Sequence, residues 1–215
     1  MEIQVSKLRE ALDMLKPAVP RKPTLPVIAN AWLGEGKAVA TDLDTAVRVN
    51  LPDIAGAAPV LLPFRDALEF LKRAPGHRMA VITAEGKSVR MSIDGAQASF
   101  QVEDVQDYPP LSPVEGEGQG VLDGDALIRA MLAVLPYAAT DDARIALKSV
   151  CLTPGDTIEV AAADGFRLAW ETVPGRLAGA IPMLVGTGTV EVLAHLWKRA
   201  ARPDLENVSD PAGLA

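Results

Sequence analysis

Cysteine, histidine and aromatic residues are all scarce in this chain. One cysteine among 215 residues permits no internal disulfide and fits a reducing cytosol. The two histidines, His77 and His195, lie far apart without supporting ligands, which argues against a metal site. Aromatics make up 4%, so the core must be aliphatic, built on Leu, Val, Ile and Ala. Cys151, in the apolar run SVCL, reads as a small core hydrophobe. No apolar run reaches the roughly 18 residues of a membrane span. The opening MEIQVSKLREALDML has no basic-then-apolar signal pattern. Positive charge is also in short supply: 21 Lys and Arg against 28 Asp and Glu, a formal net charge of −7. That excludes a surface basic all over, but not one whose cations are gathered on a single face.

The machinery of catalysis is missing as well. No nucleophile stands with a base, and no cluster of metal ligands occurs. GEGQG and GTG are glycine-rich but lack the strand-to-helix setting and the Lys-Ser/Thr that phosphate binding needs. Asp42, Asp44 and Asp164 fall at turns without a partner pattern. The reading is a protein that is not an enzyme and needs no cofactor.

What is present is a globular composition, 49% hydrophobic and 23% charged, enough for one large or two medium domains. The chain also repeats itself. LREALDMLKPAV (Leu8–Val19) matches LIRAMLAVLPYA (Leu127–Ala138). KAVATDLDTAVRV (Lys37–Val49) matches EVAAADGFRLAWE (Glu159–Glu171), with Asp42 opposite Asp164. LPFRDALEFLKRA (Leu62–Ala74) matches IPMLVGTGTVEVLAHLWKRAA (Ile181–Ala201), both carrying Lys-Arg-Ala near the end. Three blocks recur in one order, about 120 residues apart. The repeated unit is strand, helix, paired strands, strand, helix: an α+β architecture.

Local signals fill in the unit. Glu2–Val5 reads as a strand and Lys7–Leu15 as a helix capped by Ser6, with Leu8, Ala11, Leu12 and Leu15 at helical spacing. Val27–Leu33 and Ala38–Thr41 read as strands joined by GEGK, and Thr45–Asn50 continues them. Pro63 opens a second helix, Phe64–Arg73, with Gly76 beyond its end. Ala80–Thr83, Ser88–Ile93 and Ala98–Val102 alternate as a meander with turns at Glu85-Gly86 and Asp94-Gly95. The polar stretch SPVEGEGQG (Ser112–Gly120) separates the copies, giving domains 1–118 and 119–215. The second copy has its second helix at about Val190–Ala200 and no counterpart of the meander, so it is expected to be incomplete at its C-terminal end.

One stretch poses a question: AAADGFRLA (Ala161–Ala169) places Asp-Gly inside apolar sequence. Asp-Gly is a favoured two-residue hairpin turn. The alternative is that Phe166-Arg167-Leu168 is held in place for something to dock.

PTLPVIANAWL (Pro23–Leu33), ATDLD (Ala40–Asp44), LPFRDALEFLKRAPG (Leu62–Gly76) and FQVEDVQDYPPL (Phe100–Leu111) resemble the first domain of the bacterial DNA polymerase III beta subunit family, the sliding clamps. ATDDARIALKSV (Ala139–Val150) and AADGFRL (Ala162–Leu168) resemble its second domain. The resemblance implies the DNA clamp fold, with helices on one side of antiparallel sheets, and a processivity factor without catalysis. It implies sequence-independent contact with double-stranded DNA through basic helices. It also implies partnership with DNA polymerase and clamp loader subunits, self-association, and a cytoplasmic location. The DNA-facing candidates are Arg21, Lys22, Arg65, Lys72, Arg73, Lys198, Arg199 and Arg202, while Asp66, Asp141 and Asp142 place acid nearby. The family's partner-peptide pocket maps one wall onto Arg144, Leu147, Gly165, Phe166, Arg167 and Leu168. A shortened clamp-like interaction protein, binding clamp partners or subunits without encircling DNA, is the alternative reading.

Overall fold

The structure is a computed structural model and describes residues 1–110, 119–178 and 181–200. The chain divides into two compact units, Met1–Pro113 and Val114–Ala215.

The first unit starts with strand β1 (Glu2–Gln4), which passes straight into helix α1 (Val5–Leu15). Val5, Leu8, Ala11, Leu12 and Leu15 form one buried stripe, as their spacing requires. Ser6 is not the cap. The helix begins one residue before it, at Val5, and Gln4 occupies the cap position without a side-chain bond. The first-turn donors are satisfied instead by distant backbone: Val5 N–H donates to Arg78 O (2.8 Å) and Ser6 N–H to Gly76 O (2.9 Å).

Strands β2 (Asn30–Gly34), β3 (Lys37–Thr41), β4 (Ala46–Asn50) and β5 (Val60–Pro63) form an antiparallel sheet in the order β4-β3-β2-β5. The strand expected over Val27–Leu33 starts only at Asn30. Pro26 opens a 3-10 turn over Pro26–Ala29, and the Asn30 side-chain amide donates to Val27 O (3.0 Å), closing it. Glu35 and Gly36 (φ +50° and +78°) join β2 to β3 as a two-residue turn.

Helix α2 (Phe64–Lys72) follows β5, and β6 (Met79–Glu85), β7 (Ser88–Ile93) and β8 (Ala96–Gln101) form the meander. With β1 they make a second sheet, β1-β6-β7-β8. Asp94-Gly95 is the turn its sequence promised, with φ +49° and +86°. Arg9 of α1 donates through Nη2 to Leu71 O (2.8 Å) and Ala74 O (2.7 Å), closing the C-terminal end of α2.

The second unit repeats this plan with one sheet among its described residues. β9 (Gln119–Leu122) leads into α3 (Gly124–Val134), whose N-cap Asp123 accepts from Ala126 N–H. Next come β10 (Ser149–Thr153), β11 (Thr157–Ala163), β12 (Leu168–Ala178), β13 (Met183–Gly186) and α4 (Thr187–Ala200). The strand order is β13-β10-β11-β12-β9. Met131 and Val134 of α3 and Val190 of α4 pack with Val150, Leu152, Ile158, Val160, Ala162 and Val173 in its core. The indole N–H of Trp197 bonds to Asp125 at the start of α3.

The closure of this unit has no precedent in the first. β12 has 11 residues where β4 has 5, and its extension pairs with β9 from Gly175↔Leu122 to Ala178↔Gln119. Gly175, at φ +152°, is needed for that approach: a Cβ there would lie 2.9 Å from the Cβ of Leu122.

Candidate partner-binding wall and basic helices

The loop between β11 and β12 is not a two-residue Asp-Gly turn. Ala163 pairs with Leu168, leaving four residues, Asp164 to Arg167, in between. Asp164 organises them. Its Oδ1 accepts from Phe166 N–H (2.9 Å) and Arg167 N–H (3.0 Å), and its own N–H donates to Arg167 O (3.2 Å). Its Oδ2 accepts from Arg167 Nε at 2.8 Å. The Arg167 hydrogen bond, reinforced by the two backbone donors, holds the Asp164 carboxyl down at about 2. Gly165 takes φ +90°, and a Cβ there would run into the Arg144 guanidinium.

The first unit contains the same loop without a glycine. Asp42 N–H donates to Thr45 O (3.2 Å), and its Oδ1 accepts from Asp44 N–H (3.1 Å) and Thr45 N–H (2.7 Å). Leu43, in the place of Gly165, sits at φ +82°. The structure thus pairs Asp42 with Asp164, as the repeat does. It also shows that the aspartate, more than the glycine, defines the turn.

Of the expected wall residues, Arg144, Gly165 and Arg167 meet at this loop. Arg167 Nη2 donates to Pro136 O (3.2 Å), and its guanidinium lies 5.3 Å from the Tyr137 ring centre. Arg144 is the kink in the 3-10 segment Asp142–Lys148, at φ −130°, and pairs with Asp141 at 3.1 Å. Leu147 is half-buried, and its carbonyl accepts from Ala139 N–H (2.9 Å). Phe166 is 93% exposed and Leu168 67% exposed, so neither is core packing. The surface is apolar, with two arginines pinned by carboxylates beside it. Sequence reading missed Asp164, Tyr137 and Pro136 as the groups that position Arg167. The alignment of Asp164 with Asp42 was the signal for the first of these.

Cys151 is a correction. It is half-buried rather than core, with its Sγ 3.9 Å from Thr153 Oγ1. Strand alternation explains this: its neighbours Val150 and Leu152 face the helices, so Cys151 faces away from them.

The basic candidates divide by unit. Arg21, Lys22, Arg65, Lys72 and Arg73 are all exposed in the first. Arg65 Nη2 donates to Arg21 O (2.9 Å), tying the loop before PTLP to the first turn of α2. Lys72 ends that helix, beside Glu69 at 3.3 Å. In the second unit Lys198 and Arg199 occupy the last turn of α4, as Lys72 and Arg73 sit at the end of α2. Arg202 lies outside the described residues. Arg9, which sequence reading passed over, is engaged in closing α2 and is not part of a cationic surface.

No protein-family model matches the chain. Among curated proteins it is similar to the beta sliding clamp of Synechocystis, 28% identical over 186 residues, covering 80% of this chain and 48% of that protein. It is also similar to the beta sliding clamp of Pseudomonas aeruginosa, 28% identical over 178 residues, covering 78% and 47%. The chain therefore spans about half the length of the curated relatives it matches. The solved DNA polymerase III subunit beta of Pseudomonas aeruginosa superposes with a TM-score of 0.80 at 23% identity, covering 91% of this chain and 56% of that one. The beta sliding clamp of C. crescentus superposes with a TM-score of 0.81 at 20% identity, covering 93% and 57%. Fold and sequence agree: the chain has the DNA clamp fold and resembles the bacterial DNA polymerase III beta subunit, the sliding clamp, over about half of that protein's length.

Proposed function

We propose that this chain works as a sliding-clamp subunit, a non-catalytic processivity factor of the cytoplasm. In this reading it self-associates or joins further clamp domains around duplex DNA and tethers polymerase and clamp loader subunits. The observation that carries the proposal is the strand-helix plan of the clamp fold recurring in one chain, each copy carrying Lys-Arg-Ala at the end of its second helix.

The charge arrangement supports it. The first unit, residues 1–113, has 13 Lys and Arg against 14 Asp and Glu; the second has 8 against 14. Exposed Arg21, Lys22, Arg65, Lys72 and Arg73 thus stand on the less acidic unit, where they can meet phosphates without reading bases. A topological link does not require tight contact, so an acidic remainder suits a protein that must slide. The wall of Arg144, Leu147, Gly165, Phe166, Arg167 and Leu168 would receive a short apolar peptide of a partner, the arginine stems covering it while their heads stay wet.

The test is retention on DNA combined with solution mass. The purified chain is mixed with nicked circular duplex, and its mass is followed by light scattering over a concentration series. The expected result is a multimer that stays on circles and is released when they are linearised. Replacing Lys22, Arg65 and Lys72 with alanine should flatten the salt dependence of binding by about one unit per lost phosphate contact. A monomer that never links to circles would remove the encircling role. Specific capture of a clamp loader or polymerase peptide by that monomer would leave the interaction-protein reading in its place.

A further inference from the structure

The first unit carries a cleft that neither the basic candidates nor the loop wall uses. On the sheet face turned away from the helices, the pairing register sets Leu61, Trp32, Val39 and Arg48 side by side across β5, β2, β3 and β4. After β8 the chain from Val102 to Pro110 runs back over this face as a strap, with one 3-10 turn at Val105–Asp107. The buried Tyr108 hydroxyl reaches Val39 O (3.4 Å) and ties the strap to the sheet. Tyr108, Pro109 and Pro110 share a cleft of about 220 Å³ with Trp32, Val39 and Arg48, and Glu35 and Lys37 of the β2–β3 turn complete its lining. A cavity of roughly 150 Å³ holds benzene, so this one has room for a single aromatic side chain with a carboxylate attached.

Its charges are unevenly matched. Lys37 Nζ lies 5.9 Å from the Trp32 ring centre and pairs with Glu35 at 3.4 Å. Arg48 sits diagonally from Lys37, because Val39 pairs with Arg48 and Lys37 with Asn50. Such neighbours stand about 7–8 Å apart on one face. Arg48 is exposed and has no carboxylate partner among the described residues. One positive charge is therefore left over beside a half-buried indole.

The scaffold does not call for these cations. The corresponding row of the second unit is Leu184, Cys151, Ala161 and Trp170. There the repeat puts Glu159 and Trp170 where the first unit has Lys37 and Arg48. The same sheet thus forms without either cation, which leaves recognition as their role.

We infer that this cleft takes the free C-terminus of a partner chain ending in an aromatic residue, with the ring against Trp32 and the α-carboxylate on Arg48. The single uncompensated charge selects a monoanion, since Glu35 already answers Lys37 and repels a second negative charge. The volume admits one side chain, and a chain end is where a carboxylate and a side chain share one Cα. Pro109 and Pro110 offer the ring apolar edges without backbone donors. Every lining residue belongs to the first unit, so the inference shares no residue with the wall of Arg144 to Leu168 and does not depend on encirclement of DNA.

The probe is the acetylated tripeptide Gly-Gly-Phe with a free carboxylate. It is titrated into the full chain labelled with nitrogen-15, and the indole resonance of Trp32 is followed with those of Trp170 and Trp197 as internal references. The expected result is a saturable shift confined to Trp32. The C-terminal amide of the same peptide, or Gly-Gly-Ala in its place, should bind at least tenfold more weakly, and so should the peptide to the Arg48→Gln chain. Glu35→Gln, which removes the competing carboxylate, should tighten binding severalfold and gives a second variant on which the inference stands or falls. Four results would each overturn it: no Trp32 shift at millimolar peptide, equal binding of the amide, unchanged binding to Arg48→Gln, or equal shifts at all three indoles. An acetylated Asp-Phe amide that binds as tightly as the free carboxylate would overturn the chain-end assignment in favour of an internal acidic segment.

Discussion

The first unit and the second share an inner face and differ on the outer one. Toward the helices, β2 to β5 present Ala31, Leu33, Ala38, Ala40, Val47, Val60 and Leu62, all buried. The second unit answers with Val150, Leu152, Ile158, Val160, Ala162 and Val173. Outward, the first unit is closed over by its own strap, while the second shows Leu184, Trp170, Leu168 and Phe166. Duplication preserved what the helices need, because any change there opens a cavity in the core. It left the outer row free to change, because that row answers only to whatever covers it. The lesson is that a repeated fold can hold its scaffold constant and carry its distinct function on the face the helices do not touch.

The comparison can be broken most directly at the paired leucines. Leu61→Ala should cost about 2–5 kcal/mol in denaturant unfolding, whereas Leu184→Ala at the matching position should stay within about 0.5 kcal/mol. Equal costs would mean the outer face of the second unit is closed in solution.

The two aspartate loops offer a smaller contrast. Gly165→Ala places a side chain at φ +90° against Arg144 and should cost about 1–2 kcal/mol. Leu43→Gly at the equivalent position relieves the same strain and should fall within about 1 kcal/mol of the parent, strain relief and lost side-chain contacts opposing each other. Thermal unfolding of both variants measures the difference.

Acid titration sharpens the loop comparison further. Asp164 is held at about 2 from an ordinary 3.8, so its favourable bonds are complete above the ordinary value and are lost as pH falls toward 2. Carbon-13 titration of the Asp164 carboxyl should show this depressed midpoint, and Arg167→Ala should raise it.

The smallest effect belongs to the strap. Tyr108 is pushed up to about 12 by burial. Whatever its neutral phenol contributes is present below the ordinary 10 and disappears as pH rises through 12. Phenolate absorbance should therefore show a late-titrating tyrosine that Tyr108→Phe removes. Tyr108→Phe, losing only a long hydrogen bond, should cost about 0.5–1 kcal/mol by denaturant unfolding.

Much of this was legible in the residues, and the exceptions share a cause. The repeat, the stripe of Leu8, Ala11, Leu12 and Leu15, and the Asp94-Gly95 turn depend on neighbours within a few positions, so the sequence displays them. Ser6 looked like a cap because the competing acceptors, Gly76 O and Arg78 O, are some 70 residues away. Asp164-Gly165 looked like a tight turn because the pairing Ala163↔Leu168 that sets the loop length is a property of two strands, not of a dipeptide. Cys151 looked buried because an apolar run does not say which of its members face the helices. The basic residues could be found by position in the repeat, but the engagement of Arg9 with Leu71 and Ala74 could not.

The placement of β1 and β9 has a consequence for how the chain is made. β1 pairs with Met79, Ala80 and Val81, and β9 with Gly175 to Ala178. Emerging from a ribosome, each unit's opening strand therefore waits unpaired until most of that unit has been synthesised. Neither unit can grow by steady accretion from its first residue; each closes late, over long sequence separation, and such closure is intrinsically slow. A pause in synthesis before Gly175 would prolong the exposure of β9 while leaving a finished first unit unaffected.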